Sequence, residues 1–151
     1  MVSRIQQIVA EDFAALNQTV VAQLHSEVPL IESIGHYIIE AGGKRMRPVL
    51  VLLCSQNLGY TGRNHIELAT VIEFLHTATL LHDDVVDMSE MRRGKPTANV
   101  RWDNPSSVLV GDFIYSRAFQ LLVELQSMEI MDVMATTTNK ISEGEVLQLV
   151  N

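Results

Sequence analysis

One cysteine stands in the whole chain, so no internal disulfide can form, and a reducing compartment is expected. Prolines number 4 and glycines 8, too few for a loop-rich, collagenous or disordered architecture. Basic residues are outnumbered 11 to 18, leaving a net charge of −7 and a pI near 5.1. That balance argues against a nucleic-acid partner. No segment approaches 18 consecutive apolar residues, so none reads as membrane-spanning. The opening MVSRIQQIVAED lacks the apolar stretch of a signal peptide. These absences together predict a cytoplasmic protein. What remains is 151 residues, 47% hydrophobic and 19% charged, enough for one domain with a core. Helix formers dominate, and the expected fold class is all-α.

The cations are scarce but gathered. Six of the 11 fall in two short clusters, Lys44–Arg47 and Arg92–Lys95. An acidic protein that concentrates its positive charge twice is expected to handle an anion there.

Apolar spacing predicts a first helix over Ser3–Leu24 and a second over Leu30–Ala41, entered at Pro29 and ended by Gly42-Gly43. GGKRMRP follows. Backbone amides at the start of the next helix, beside Lys44 and Arg47, would suit a phosphate, although a plain surface turn is the blander alternative. Pro48 fits the first turn of a helix over Pro48–Leu58, in whose apolar run Cys54 is expected to be buried. His65–Met88 reads as one long helix, apolar over much of its circumference and hence central to a bundle. One of its faces runs His76, Thr79, Asp83, Asp87. His76 alone could equally be a core histidine. Ser89–Ser107, with its glycine and prolines, reads as a loop, and helices are expected again over Val108–Leu125 and Ser127–Asn151. The last pattern stops with its periodicity intact, which suggests a longer parent chain.

The most informative stretch is Leu80–Thr97, LLHDDVVDMSEMRRGKPT. On a helix, Asp83 and Asp87 lie about 40° apart with side chains roughly 5–6 Å from each other. Mg²⁺ typically takes one or two such carboxylates, completing its shell with water and substrate phosphate oxygens. Three aspartates near a helix C-terminus face the negative end of the macrodipole and repel one another. A bound cation would relieve both costs. A solvated acidic helix end is the alternative. The arginines that follow favour the metal reading, because guanidinium pairs bidentately with phosphate.

GGKRMRP, His76, LLHDDVVDMSEMRRGKPT, the Gly111-Asp112-Phe113 step and EGEVLQL together resemble the trans-isoprenyl diphosphate synthases, the long-chain bacterial synthases in particular. The resemblance implies an all-α bundle of long antiparallel helices around a deep central cavity, usually homodimeric. It implies condensation of an allylic diphosphate, such as farnesyl diphosphate, with isopentenyl diphosphate to an all-trans polyprenyl diphosphate. An octaprenyl product for quinone side chains is expected, which would be passed to a membrane. The resemblance assigns Asp83, Asp84 and Asp87 to Mg²⁺, and Arg92 to the allylic diphosphate. Lys44, Arg47, His76 and Arg93 are assigned to isopentenyl diphosphate. Positions just before the aspartates limit product length, and Ala78 and Thr79 are small there, which predicts an open pocket and a long product. The family's second aspartate-rich motif lies in a C-terminal half that these 151 residues lack. Residues 1–151 are therefore expected to be the N-terminal half of one domain, inactive alone. Two other classes fit parts of the sequence. His82-Asp83 is an HD pair, as in metal-dependent phosphohydrolases, and a short chain with one motif could be a non-catalytic subunit that binds isoprenyl diphosphate.

Overall fold

The computed structural model describes residues 2–151, with side chains from residue 4 onward. Eight helices and one short hairpin make up these residues, bearing out the all-α expectation. The expected first helix is two, α1 (Val2–Ile8) and α2 (Ala10–Gln23), broken at Val9, whose side chain is buried. α3 (Pro29–Glu40) begins on Pro29, where a missing N–H costs nothing. α4 (Met46–Asn57) turns Val49 and Leu52 inward. Cys54 lies on its other side and is exposed, which corrects the expectation of a buried thiol. An apolar run on a short helix does not specify which residues of the run face the core.

α5 (Asn64–Val86) is the centre of the molecule. Its buried residues include Ile66, Ala69, Val71, Phe74, Ala78 and Leu81, distributed round the axis, because α2, α4 and α7 (Asn104–Glu124) all pack on it. Truncating the fully buried Phe74 to alanine would cost about 3–5 kcal/mol, the usual range for a core aromatic. The contact with α7 is close at Gly111, where a Cβ would meet the His82 ring at 2.6 Å and the Ala78 carbonyl at 3.4 Å. Glycine is required there by space.

The segment expected to be a loop is ordered. β1 (Met91–Arg92) and β2 (Lys95–Pro96) pair antiparallel, with Arg92 opposite Lys95. The two turn residues, Arg93 and Gly94, have φ of 50° and 78°, the signature of a type I′ hairpin turn. A short helix α6 (Ala98–Arg101) follows. α7 starts earlier than its apolar pattern because Asp103 caps it, accepting from the Ser106 N–H at 2.7 Å, and Pro105 occupies its first turn. Pro105 initiates a helix here and does not break one. The last helix, α8 (Met128–Val150), buries only Met134, and Val133, Val146, Leu147, Leu149 and Val150 are exposed. None of the described helices is long and apolar enough to cross a membrane.

Candidate functional site

The C-terminal end of α5 carries the aspartates. Asp87 is the residue that caps it, and its N–H still bonds the Asp83 carbonyl at 2.7 Å, so Asp83 and Asp87 keep the one-turn relation that the spacing predicts. Burial raises the pKa of Asp83, and the neighbouring Asp87 and Asp84 charges raise it further. Two carboxylates one turn apart suit an oxygen-seeking divalent ion. Among the described residues no group of three or more His, Cys, Asp or Glu side chains converges as a cage. The remaining ligands of any cation would come from water or substrate.

Asp84 does not join that pair. It points inward, 3% exposed, and takes a bidentate pair from Arg92: Nη2 to Oδ1 at 2.7 Å and Nε to Oδ2 at 3.1 Å. The hydrogen bonds that Arg92 donates to Asp84 raise the pKa of Arg92. The three carboxylates thus stand in different settings: Asp83 half-buried, Asp87 exposed, and Asp84 buried on Arg92. A residue one place along a helix is turned about 100° away.

The hairpin that carries Arg92 and Arg93 is tied down at both ends. Tyr37 on α3 donates its hydroxyl to the Pro96 carbonyl at 2.6 Å. Thr97 Oγ1 and Asn99 Nδ2 both donate to the Ser89 carbonyl, at 2.8 and 3.2 Å. The hairpin thereby leans over the GGKRMRP loop. Arg93 passes so near Gly43 that a Cβ on that residue would meet the guanidinium and make it shift.

Between loop, hairpin and α5 lies a cavity of about 370 Å³ that receives Lys44, Arg47, His76, Arg92 and Arg93. The two basic clusters, 45 or more residues apart in sequence, meet in it. Arg47 Nη1 donates to His76 Nε2 at 3.3 Å. Burial lowers the pKa of His76, and the charges of Arg47, Arg92 and Arg93 lower it further, so the ring is held neutral as an acceptor. With Arg45, which also lines it beside Glu73, four arginines and a lysine surround a cavity of this size, a receptor for a compact polyanion.

A second cavity of about 530 Å³ adjoins the first, sharing Arg47 and His76, and opens toward α8. Ile72, Leu75, Thr79, Met134 and Ile141 line it. Thr79 faces it with its hydroxyl turned back onto the His76 carbonyl at 2.6 Å, leaving the methyl as the exposed chemistry. Ala78 is fully buried against α7 and does not line the cavity. Of the two length-limiting candidates, the structure brings only Thr79 to the apolar space.

The HD pair is separated. His82 Nε2 turns to α7, 3.0 Å from the Val108 carbonyl and 3.2 Å from Asp112, while His65 pairs with Asp12. Sequence reasoning missed Tyr37, Gly43's contact and the buried Glu73. A carboxylate in the apolar stretch of α5 was the one available signal for Glu73.

The family model for polyprenyl synthetase matches residues 28–151. The octaprenyl diphosphate synthase of Haemophilus influenzae is 53% identical over 150 residues, 99% of this chain and 46% of that protein. A decaprenyl diphosphate synthase from Rhodobacter capsulatus matches in structure with a TM-score of 0.96 at 50% identity, over 99% of this chain and 46% of that one. A polyprenyl synthase from Caulobacter crescentus CB15, complexed with calcium and isoprenyl diphosphate, gives 0.95 at 43%, over 99% and 45%. The chain spans about half the length of the relatives it matches.

Proposed function

Since the chain belongs to the polyprenyl synthetase family, we propose that it forms the N-terminal half of a Mg²⁺-dependent prenyltransferase site. The reaction joins an allylic diphosphate, farnesyl diphosphate in the first instance, to isopentenyl diphosphate. The observation that carries this reading is the juxtaposition of a cationic cavity and a more apolar one that share Arg47 and His76, on the helix that carries Asp83 and Asp87 toward its C-terminal end.

Each group then has a task. Lys44, Arg47, Arg93 and neutral His76 hold the diphosphate of isopentenyl diphosphate. Asp83 and Asp87 hold the magnesium, and Asp84 fixes Arg92 so that its guanidinium faces the allylic diphosphate. Magnesium, when bound, supplies the positive charge that lets a diphosphate leave. As the allylic C–O bond breaks, negative charge grows on the departing oxygen, where preorganised Arg92 is worth far more than a mobile cation in water. Ile72, Leu75 and Thr79 surround the prenyl tail and exclude water from the carbocation.

A long all-trans product follows from the small side chain at Thr79. Eight units rest on likeness to the octaprenyl synthase. Likeness to the family supports, as the proposed working form, a cytoplasmic homodimer that delivers its product to quinone synthesis at a membrane. The test is a condensation assay with Mg²⁺, farnesyl diphosphate and radiolabelled isopentenyl diphosphate, on this chain and on its complete reading frame. Extension by the complete protein only is the expected result. Binding of isopentenyl diphosphate without condensation by either would favour a non-catalytic subunit, and no binding would overturn the reading.

A further inference from the structure

Glu73 is a carboxylate at the edge of a cavity built for an anion, and the proposed chemistry does not use it. Its side chain is 7% exposed, and burial raises its pKa against the pull of Arg45 and Arg47. A negative charge there weakens anion binding through space, so its presence needs another cause. Arg45 provides one. It is the middle cation of the loop, 16% exposed, and it turns inward where Lys44 and Arg47 do not. Its Nη1 donates to Glu73 Oε1 at 3.1 Å and its Nε to Asn17 Oδ1 at 2.9 Å, joining α5 and α2. Its backbone has a left-handed φ of 53°, and its carbonyl accepts the first hydrogen bond of α4, from Val49 at 3.0 Å. That conformation is disfavoured for a non-glycine residue and persists only where surroundings enforce it. Here the enforcing contacts are the two side-chain partners.

We infer that Glu73 and Arg45 are a positioning pair: their buried bond holds the loop in the conformation that presents Lys44 and Arg47 to a diphosphate. The inference rests on reading this cavity as the isopentenyl diphosphate site. It assigns Arg45 to holding the loop rather than to gripping the substrate, although Arg45 lines the same cavity as Lys44 and Arg47. The same device recurs across the cavity, where Asp84 fixes Arg92.

The two roles open to Glu73 predict opposite signs. If it were only a stray charge near an anion, Glu73→Gln would tighten binding. As a positioning residue, its loss loosens binding, because the cations that grip the ligand lose their fixed geometry. Isopentenyl diphosphate and inorganic pyrophosphate are titrated calorimetrically into this chain, alongside Glu73→Gln, Arg45→Met and the double variant. We expect Glu73→Gln to weaken both ligands by roughly three- to tenfold, about the net worth of one ordinary hydrogen bond. Arg45→Met weakens at least as much, and the double variant is no weaker than Arg45→Met, as for residues acting as a unit. The His76 Nε2 resonance, which reports the contact with Arg47, shifts in Glu73→Gln before ligand is added. Asn17→Ala, which leaves both charges in place, weakens binding by a smaller factor and carries the test should Glu73→Gln not fold. Unchanged or tighter binding, or an additive double variant, overturns the inference, as does a fall in melting temperature with affinity intact. A wild-type chain that binds neither ligand refutes the underlying reading, and this inference with it.

Discussion

The two cavities beside α5 are built in opposite ways. The cationic one is bounded by elements fastened to each other: Arg45 to Glu73 and Asn17, Arg92 to Asp84, Tyr37 to Pro96, Arg47 to His76. The apolar one is bounded on its far side by α8, which buries only Met134. Charge recognition requires donors at fixed positions, since a displaced cation loses most of its advantage over water. A prenyl tail has no directional requirement and needs only volume and exclusion of water. The left-handed non-glycine residues follow the same division. Arg45, Met88 and Arg93 flank the charged region, and only Gln126 lies elsewhere.

The largest effect should come from the metal pair. Asp83→Ala or Asp87→Ala, in whichever form of the protein turns over, is expected to lower kcat/KM for condensation by about 10²–10³-fold, the scale of losing one preorganised electrostatic group. Activity within tenfold of wild type would remove these residues from the site. Next is the anchor of the hairpin. Arg92→Met leaves Asp84 buried without its cation, and breaking such a pair costs about 3–5 kcal/mol, here at the lower end because Arg92 is 28% exposed. The thermal midpoint should fall by roughly 10 °C for a chain of this size. Adding Asp84→Asn should recover much of the loss, and if the double variant melts no higher, the buried charge is not the cause.

These effects divide along the line between what the sequence disclosed and what it hid. Helix positions came from apolar spacing, which is a local property, and so did the shared face of Asp83 and Asp87. Pairings across the chain were not local. Nothing in Lys44–Arg47 distinguishes Arg45 from its neighbours until α2 and α5 are in place, because its partners lie 28 residues away on either side. The pairing of Asp84 with Arg92 was hidden too, because adjacent letters do not show the turn of about 100° that sets Asp84 apart from Asp83. Cys54 and Pro105 were misjudged for a different reason. Residue type suggests a default environment, and packing or capping overrides it at a particular position.

The apolar side offers a finer test of the same division. Thr79→Phe places a ring in the cavity bounded by α8 and should shorten the product by one or more isoprene units while leaving the affinity for isopentenyl diphosphate unchanged. Ala78→Phe must instead push α7 away, an overpacking cost of about 1–3 kcal/mol, so its main reading is a lower melting temperature. Reversed-phase separation of the products after dephosphorylation distinguishes the two. Shorter products from Ala78→Phe at unchanged stability would mean that the pocket runs on the α7 side of the helix.

The smallest effect is a proton. His76 is held below its ordinary value of 6.5 by burial and by Arg47, Arg92 and Arg93. Between its folded pKa and 6.5 the unfolded chain binds more protons than the folded one, so stability rises with pH across that window. Below the folded pKa the penalty is present in full, and above 6.5 it is gone. A ¹⁵N titration of the imidazole should therefore give a midpoint under 6.5 in the free chain. Pyrophosphate in the cavity neutralises the arginines that depress it, so the midpoint should climb when the anion binds, and Arg47→Gln should raise it without any ligand. Farnesol, which carries the tail without the diphosphate, brings no negative charge to the arginines, so it should leave the midpoint where it was. A midpoint that responds equally to farnesol and to pyrophosphate would show that the two cavities are electrostatically one.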